Sequence, residues 1–160
     1  DLGAVLNALE AVGAEITYES SGIRVKGPDR IRPANITTLP YPGFPTDMQA
    51  QFMSLLSVAQ GVSIITEKVF PERFIHVGEL NRMGADITLE GATAIIKGVR
   101  YLSGSEVMAS DLRASAALVM AGLLADGETI ISRVYHLDRG YERLVEKFQI
   151  LGAKIERVKE

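Results

Sequence analysis

The sequence predicts an α/β (α+β) fold built from repeated βαβαββ units, with helices at the centre and sheets outside. Three observations predict it. First, Gly13-Ala14-Glu15-Ile16, Gly84-Ala85-Asp86-Ile87 and Gly152-Ala153-Lys154-Ile155 each follow a helix-like stretch and open a strand-like one. Second, a long helix that begins at an acid and stops at a glycine is written twice, from Thr46-Asp47-Met48-Gln49 to Gly61 and from Ser110-Asp111-Leu112-Arg113 to Gly127. The recurrences lie about 65 to 70 residues apart, too far for a solenoid repeat and right for a compact unit of two helices and several strands. Third, the helix after Asp111 carries no charge beyond Arg113 on any face. A helix that is apolar all round is buried all round, so the helices belong at the centre and the alternating strands outside them.

Taken in order, Val5, Leu6, Leu9 and Val12 fall at helical spacing and predict a first helix, followed by two strands carrying Ile23 and Val25. A strand near Ile36–Leu39 precedes a helix from Asp47 to Gln60, whose apolar face is Met48, Phe52, Leu55, Leu56 and Ala59. Thr46 and Gln49 match a capping box at its start. A strand over Ser63–Thr66 leads to a shorter helix ending at Met83, then strands Asp86–Leu89 and Ala94–Lys97 turn at Glu90-Gly91, with Ile87 and Leu89 alternating inward. A further copy starts near Glu106. It includes the helix of Tyr141, Leu144, Val145, Phe148 and Leu151 and lacks only its last strand. Each of the five helices meets a glycine, at 13, 61, 84, 127 and 152, where a left-handed residue closes the last turn without a Cβ clash.

The organisation expected is a single domain over 1–160, divided into an incomplete unit at 1–27, a second at 28–98 and a third at 99–160. A hairpin lacking its leading strands leaves a bare sheet edge, which folded proteins avoid. The expectation is a portion of a larger protein, the alternative being a first copy that has decayed.

At 160 residues, roughly 68 to 70% of the unfolded surface can be buried, enough for a stable core. The chain has no cysteine, which excludes disulfides and thiolate metal sites, and its two histidines, His76 and His136, are too few and too far apart to argue for a metal. Both read as structural hydrogen-bonding residues. Seventeen basic residues against twenty acidic ones give no electrostatic reason to expect nucleic acid. No apolar run is long enough to suggest a membrane span, and a cytoplasmic setting is the default.

The helix openings are where chemistry can gather. Unpaired N–H groups at a helix start keep a nearby acid ionised and favour an anionic ligand, and both Asp47 and Asp111 are placed there; the plain alternative for each is capping alone. Asp47 follows Tyr41-Pro42-Gly43-Phe44-Pro45, a loop stiffened by two prolines. Arg113, at the mouth of an otherwise chargeless helix, requires an anionic partner. Arg139 lies between a strand and a helix, where ligand sites of α/β proteins collect.

Tyr41-Pro42-Gly43-Phe44-Pro45-Thr46-Asp47-Met48-Gln49-Ala50-Gln51, Ile65-Thr66-Glu67 with Arg73-Phe74, Glu79-Leu80-Asn81-Arg82-Met83-Gly84-Ala85, Ala109-Ser110-Asp111-Leu112-Arg113-Ala114 and His136-Leu137-Asp138-Arg139-Gly140-Tyr141 together resemble the UDP-N-acetylglucosamine 1-carboxyvinyltransferase family of enolpyruvyl transferases. The resemblance covers almost the whole chain. It implies an inside-out α/β barrel of the enolpyruvyl transferase type, of which this chain is the C-terminal portion. It also implies a reaction of peptidoglycan synthesis, in which the 3′-hydroxyl of UDP-N-acetylglucosamine attacks C2 of phosphoenolpyruvate while C3 is protonated, and phosphate then leaves. No metal or organic cofactor is implied.

Carried over by motif, Asp47 resembles the residue that binds and deprotonates the sugar hydroxyl, and the backbone at Val69 a further contact to the nucleotide sugar. Asp111 resembles a partner in proton transfer at the methylene carbon. Arg113 and Arg139 resemble members of the cationic set that grips phosphoenolpyruvate. Arg73 is a further candidate, although a loop arginine is usually solvated surface. The proton-donating cysteine and the lysine-asparagine pair of the family belong to the N-terminal portion, so that portion is the partner expected and the chain by itself is expected to be inactive. Three alternatives stay open: a 3-phosphoshikimate 1-carboxyvinyltransferase-like enzyme, a non-catalytic module of the same fold, and a regulatory partner that docks through its sheet edge.

Overall fold

A computed structural model describes residues 2–158. The expected unit limits at 1 and 160 lie outside the described residues. The elements in order are α1 (Gly3–Ala11), β1 (Glu15–Glu19), β2 (Gly22–Lys26), β3 (Asn35–Thr37), a 3-10 turn (Thr46–Met48), α2 (Gln49–Leu56), β4 (Val62–Thr66), α3 (Val77–Arg82), β5 (Asp86–Glu90), β6 (Thr93–Lys97), β7 (Leu102–Ser103), β8 (Glu106–Met108), α4 (Leu112–Leu124), β9 (Ala125–Asp126), β10 (Ile130–Ser132), α5 (Tyr135–Asp138) and α6 (Leu144–Ile150).

From β3 to β6 the order is βαβαββ, as the sequence predicts. These strands form one sheet in the order β3-β4-β6-β5. Strands β3 and β4 run parallel, with Ile36 opposite Ile65, whereas β4 pairs antiparallel with β6, with Ile64 opposite Ile95. A parallel pair cannot be closed by a tight turn, and the crossover that joins it is α2. The same construction recurs: β8 and β10 run parallel, with Val107 opposite Ile131, and α4 is the crossover. Helices α2 and α4 therefore hold equivalent places in two copies of one motif.

These two helices pack on each other at the centre. Ala50, Ala114, Ala117 and Ala121 are buried, and the buried Ser54 Oγ donates to the carbonyl of Ala117 at 2.8 Å. Small side chains and a cross-helix hydrogen bond let two backbones approach closely while satisfying the buried Ser54 hydroxyl. Around them Phe52, Met53, Leu56, Leu80, Met83 and Leu118 join the inward-facing Ile36, Ile65, Ile87, Ala94 and Ile96 of the sheet in one apolar core. On the sheet's other face Val62 and Ile64 are exposed. Helices inside and sheet outside is the arrangement that the chargeless helix predicts.

Several local expectations differ. The stretch 47–60 is not one helix: the 3-10 turn precedes α2, and α2 ends at Leu56. The capping box does not form, because the Thr46 hydroxyl is taken by Glu67. Helix α4 stops at Leu124 and passes into β9, which pairs parallel with β7, a short ladder that no periodicity announced. Its buried stretch is 114–119, whereas Leu123 and Leu124 at its end are exposed. The β1–β2 hairpin forms in register, yet Ile23 and Val25 are exposed, as is Leu89 on β5; only Ile87 of the four expected inward residues is buried. Among the described residues the hairpin pairs only with itself, and apart from half-buried Ile16 its residues are exposed. Residues 153–158 form no strand, because no neighbouring strand among the described residues offers them a ladder. Gly13, Gly84 and Gly152 do close α1, α3 and α6 with positive φ. Gly61 and Gly127 have positive φ in the turns beyond, rather than at helix ends.

One glycine is fixed by contact rather than by φ. A Cβ at Gly98 would lie 1.6 Å from the carbonyl oxygen of Ala59, whereas one at Gly22 would meet nothing within 4 Å. Gly98→Ala is expected to destabilise the chain by about 1–3 kcal/mol or more, the cost of overpacking against backbone that cannot give way. Gly22→Ala should stay within about 0.5 kcal/mol. Urea denaturation followed by circular dichroism checks both, and equal midpoints for the two variants would contradict the close approach.

Candidate active site

The site is built where α2 and α4 begin. The loop before α2 closes on itself through Gly43 N–H to the Pro40 carbonyl (2.9 Å) and Leu39 N–H to the Phe44 carbonyl (3.0 Å). The Tyr41–Pro42 peptide is cis. Phe44 is buried edge-on against Phe52 of α2, with ring centroids 5.0 Å apart. This apolar anchor delivers Thr46 and Asp47 to the mouth of α2.

Asp111 caps α4: its Oδ1 accepts from the N–H groups of Arg113 (2.7 Å) and Ala114 (2.9 Å). Asp47 does not cap. Its Oδ1 accepts from Arg113 Nε at 2.5 Å and from an Arg73 Nη at 3.3 Å. Two charge-assisted bonds outweigh the neutral N–H groups of a helix start, which explains why the expected capping role falls to Asp111 alone. The anionic partner that Arg113 requires is thus Asp47. The Asp47 side chain is 64% exposed and that of Arg113 is 28% exposed. Pairs so open to water contribute about 0.2–1 kcal/mol, too little for fold stability to account for the cluster.

Arg73 is not solvated surface. Its side chain is only 19% exposed, its guanidinium carbon lies 4.0 Å from the centre of the Phe70 ring, and one Nη also donates to the Thr46 hydroxyl at 2.9 Å. Arg139 is exposed just beyond α5 and forms no ion pair among the described residues. Gly140 beside it seats on Leu112, where a Cβ would lie 3.2 Å from a methyl of that leucine. Tyr141 Oη accepts from Gln51 of α2 at 3.4 Å. The segment 139–141 therefore lies over the starts of both central helices, bringing Arg139 to the same end of the bundle as Asp47 and Arg113. The Val69 N–H donates to Glu67 at 2.9 Å, which leaves its carbonyl as the part of that peptide a ligand could use.

Sequence reasoning missed the group that holds this loop. Glu67 is 1% exposed and accepts four hydrogen bonds: Thr38 Oγ1 (2.5 Å), Thr46 Oγ1 (2.9 Å), and the N–H groups of Val69 (2.9 Å) and Phe70 (3.0 Å). Burial raises its proton affinity, but the bonds from Thr38, from the Phe70 and Val69 backbone and from Thr46 outweigh it and hold the carboxyl below its ordinary range. The available signal was an acid directly after a strand that alternates Ser63 and Ile65 inward, a place where a charge needs several donors. His76 also differs from its expectation. It is 2% exposed, and its Nε2 has no hydrogen-bond partner. Burial pushes its pKa down to about 4, against a smaller opposing pull from the Asp111 charge.

With this geometry in place, comparison with known proteins gives a family. The model described as EPSP synthase (3-phosphoshikimate 1-carboxyvinyltransferase) matches residues 1–148. The chain belongs to the EPSP synthase family. Among curated members, a UDP-N-acetylglucosamine 1-carboxyvinyltransferase of Desulfosudis oleivorans is 65% identical over 153 residues, covering 96% of this chain and 37% of that protein. One of the same name from Gluconacetobacter diazotrophicus is 60% identical, covering 99% and 38% respectively. The chain thus spans a little over a third of the length of these EPSP synthase family relatives. Of solved structures, the enolpyruvyl transferase NikO from Streptomyces tendae superposes with a TM-score of 0.87 at 28% identity, over 97% of this chain and 36% of that one. An EPSP synthase from Acinetobacter baumannii gives a TM-score of 0.62 at 22% identity over 80% of this chain and 31% of its own, a likeness of fold. The inside-out architecture of the family is the one that the central helices predict. No helix among the described residues is long and apolar enough to cross a membrane.

The buried imidazole makes stability depend on pH. His76 titrates near its ordinary value of 6.5 when unfolded but only at about 4 when folded, so between these values the unfolded chain binds more protons and stability rises with pH. The stability attributable to this group is complete above about pH 6.5 and is lost as pH falls toward 4. The full difference is on the order of 3 kcal/mol. Glu67 adds its own loss as pH falls through its ordinary value of 4.5 toward its lower folded value. His76→Phe is expected to flatten the slope between pH 4 and 6.5 in urea midpoints measured across pH; an unchanged slope would refute the role of burial.

Proposed function

We propose that this chain forms the part of a UDP-N-acetylglucosamine 1-carboxyvinyltransferase that presents the acceptor-activating acid and part of the cationic set for phosphoenolpyruvate. The observation that carries this reading is Asp47 held between Arg73 and Arg113 at the shared mouth of α2 and α4. Names borne by relatives at 65% and 60% identity support the nucleotide-sugar acceptor. The 3-phosphoshikimate acceptor is supported by the description of the matching family and by a likeness of fold at 22% identity.

In this reading the phosphate and carboxylate of phosphoenolpyruvate compete for the Arg113 guanidinium, with exposed Arg139 completing the grip. Release of that ion pair frees the Asp47 carboxylate to accept the proton of the sugar 3′-hydroxyl as its oxygen bonds to C2. C3 gains a proton in the same addition. Loss of a proton from C3 then restores the double bond as the C2–O bond to phosphate breaks. Asp111, fixed by its cap at the start of α4, is the proposed partner in proton transfer at C3, and the Val69 carbonyl the proposed contact to the nucleotide sugar. The residue that donates the C3 proton belongs to the N-terminal portion of the enzyme, and closure of the two portions excludes water. The setting proposed is cytoplasmic peptidoglycan synthesis, with UDP-N-acetylglucosamine, phosphoenolpyruvate and that N-terminal portion as partners.

The chain alone is expected to release no phosphate from phosphoenolpyruvate and to bind UDP-N-acetylglucosamine only weakly. Mixed with the N-terminal portion it should turn over, and Asp47→Ala in that assembly should abolish the rate. Micromolar binding by the isolated chain in calorimetry, or a reconstituted Asp47→Ala enzyme that keeps most of its activity, would overturn the reading.

A further inference from the structure

We propose that Glu67 is a positioning residue that fixes the Thr46 hydroxyl as an acceptor for Arg73 and so holds the Arg73 guanidinium against Asp47. This rests on the role given to Asp47 above. An ionised carboxylate only accepts, and Glu67 accepts with a division of labour between its oxygens. Oε1 takes Thr38, Val69 N–H and Phe70 N–H, whereas Oε2 takes, among the described residues, the Thr46 hydroxyl alone. With its proton committed to Oε2 at 2.9 Å, the Thr46 oxygen can only accept on its other side, and what it accepts is the Arg73 Nη at 2.9 Å. The same Nη donates to Asp47 at 3.3 Å, and Arg113 Nε donates to that oxygen from the opposite helix at 2.5 Å. The order is therefore Glu67, Thr46, Arg73, Asp47, Arg113: Glu67 fixes which way the Thr46 hydroxyl points, the Thr46 oxygen seats Arg73, and Asp47 accepts from both arginines.

The alternative of a purely architectural acid is separable from this one. Oε1 already accounts for the three bonds that hold strand β3 and the loop 69–70, so an acid that only staples the fold has no need of Oε2. The amide of Glu67→Gln keeps an acceptor at Oε1 and places an NH2 where Oε2 was. Thr46 must then accept from the amide as well as from Arg73, and its own proton loses the acceptor that directed it. That change removes one hydrogen-bond direction and leaves the rest of the loop in place.

The test uses the full-length transferase carrying this segment. Glu67→Gln is expected to lower kcat/KM for UDP-N-acetylglucosamine by about tenfold, the size of one reversed buried hydrogen bond, with the KM for phosphoenolpyruvate changed much less. Thr46→Val should reproduce the loss, Thr46→Ser should retain most of the rate, and the double variant Glu67→Gln, Thr46→Val should lose no more than its worse single parent. Glu67→Gln at wild-type efficiency, or losses that multiply in the double variant, would overturn the proposal. Where Glu67→Gln fails to fold, the threonine pair decides: an active Thr46→Val enzyme removes the relay, and loss in valine with retention in serine supports it. Asp47→Ala separates the two readings. A dead Asp47→Ala beside a fully active Glu67→Gln defeats only this proposal, whereas an active Asp47→Ala defeats the function on which it rests.

Discussion

The contact between α2 and α4 is the constraint from which the site follows. A seam of alanines, crossed by the hydrogen bond from Ser54 to the Ala117 carbonyl, fixes how closely the two central helices lie. Their first turns inherit that separation, and so does the bridge between Asp47 on one and Arg113 on the other. Helix α4 carries too little amphipathic pattern to choose a single face, and both helices are enclosed on most sides. What orients them is the pair of parallel ladders, β3 with β4 and β8 with β10, for which each helix is the crossover.

Charge is handled differently at two depths. At the mouth, Asp47 and Arg113 meet where water still reaches them, so the pair is worth little to stability and separates at small cost. One layer below, Glu67 is sealed from solvent and stays charged because four donors replace its hydration. Thr46 joins the layers, since its hydroxyl touches both Glu67 and Arg73. The upper layer is open to water, whereas the lower one is held by four donors.

Much of this was legible in the amino-acid sequence, for identifiable reasons. The βαβαββ order followed from recurring Gly-Ala tetrads and alternating strands, signals that persist because period and turn chemistry are local. The burial of α4 followed from its lack of charge. Arg113 announced a partner because a guanidinium on such a helix needs one. What escaped notice depended on distance through space. The four donors of Glu67 come from residues 38, 46, 69 and 70, and no spacing rule links a strand end to a loop across 29 residues. The capping box at Thr46 failed for the same reason, as a remote acid claimed the hydroxyl first. The exposed β1–β2 hairpin and the short β7–β9 ladder show the other limit, since alternation indicates a strand but not what covers it.

Asp47 and Asp111 stand at matching places in a duplicated motif, yet one closes its helix and the other reaches across to a neighbour. Duplication within a fold makes such divergence inexpensive. Once one copy keeps the capping bond, its twin is free to take a different partner without endangering the scaffold. Asymmetry between like positions in a repeat therefore marks a side chain released from closing its own helix.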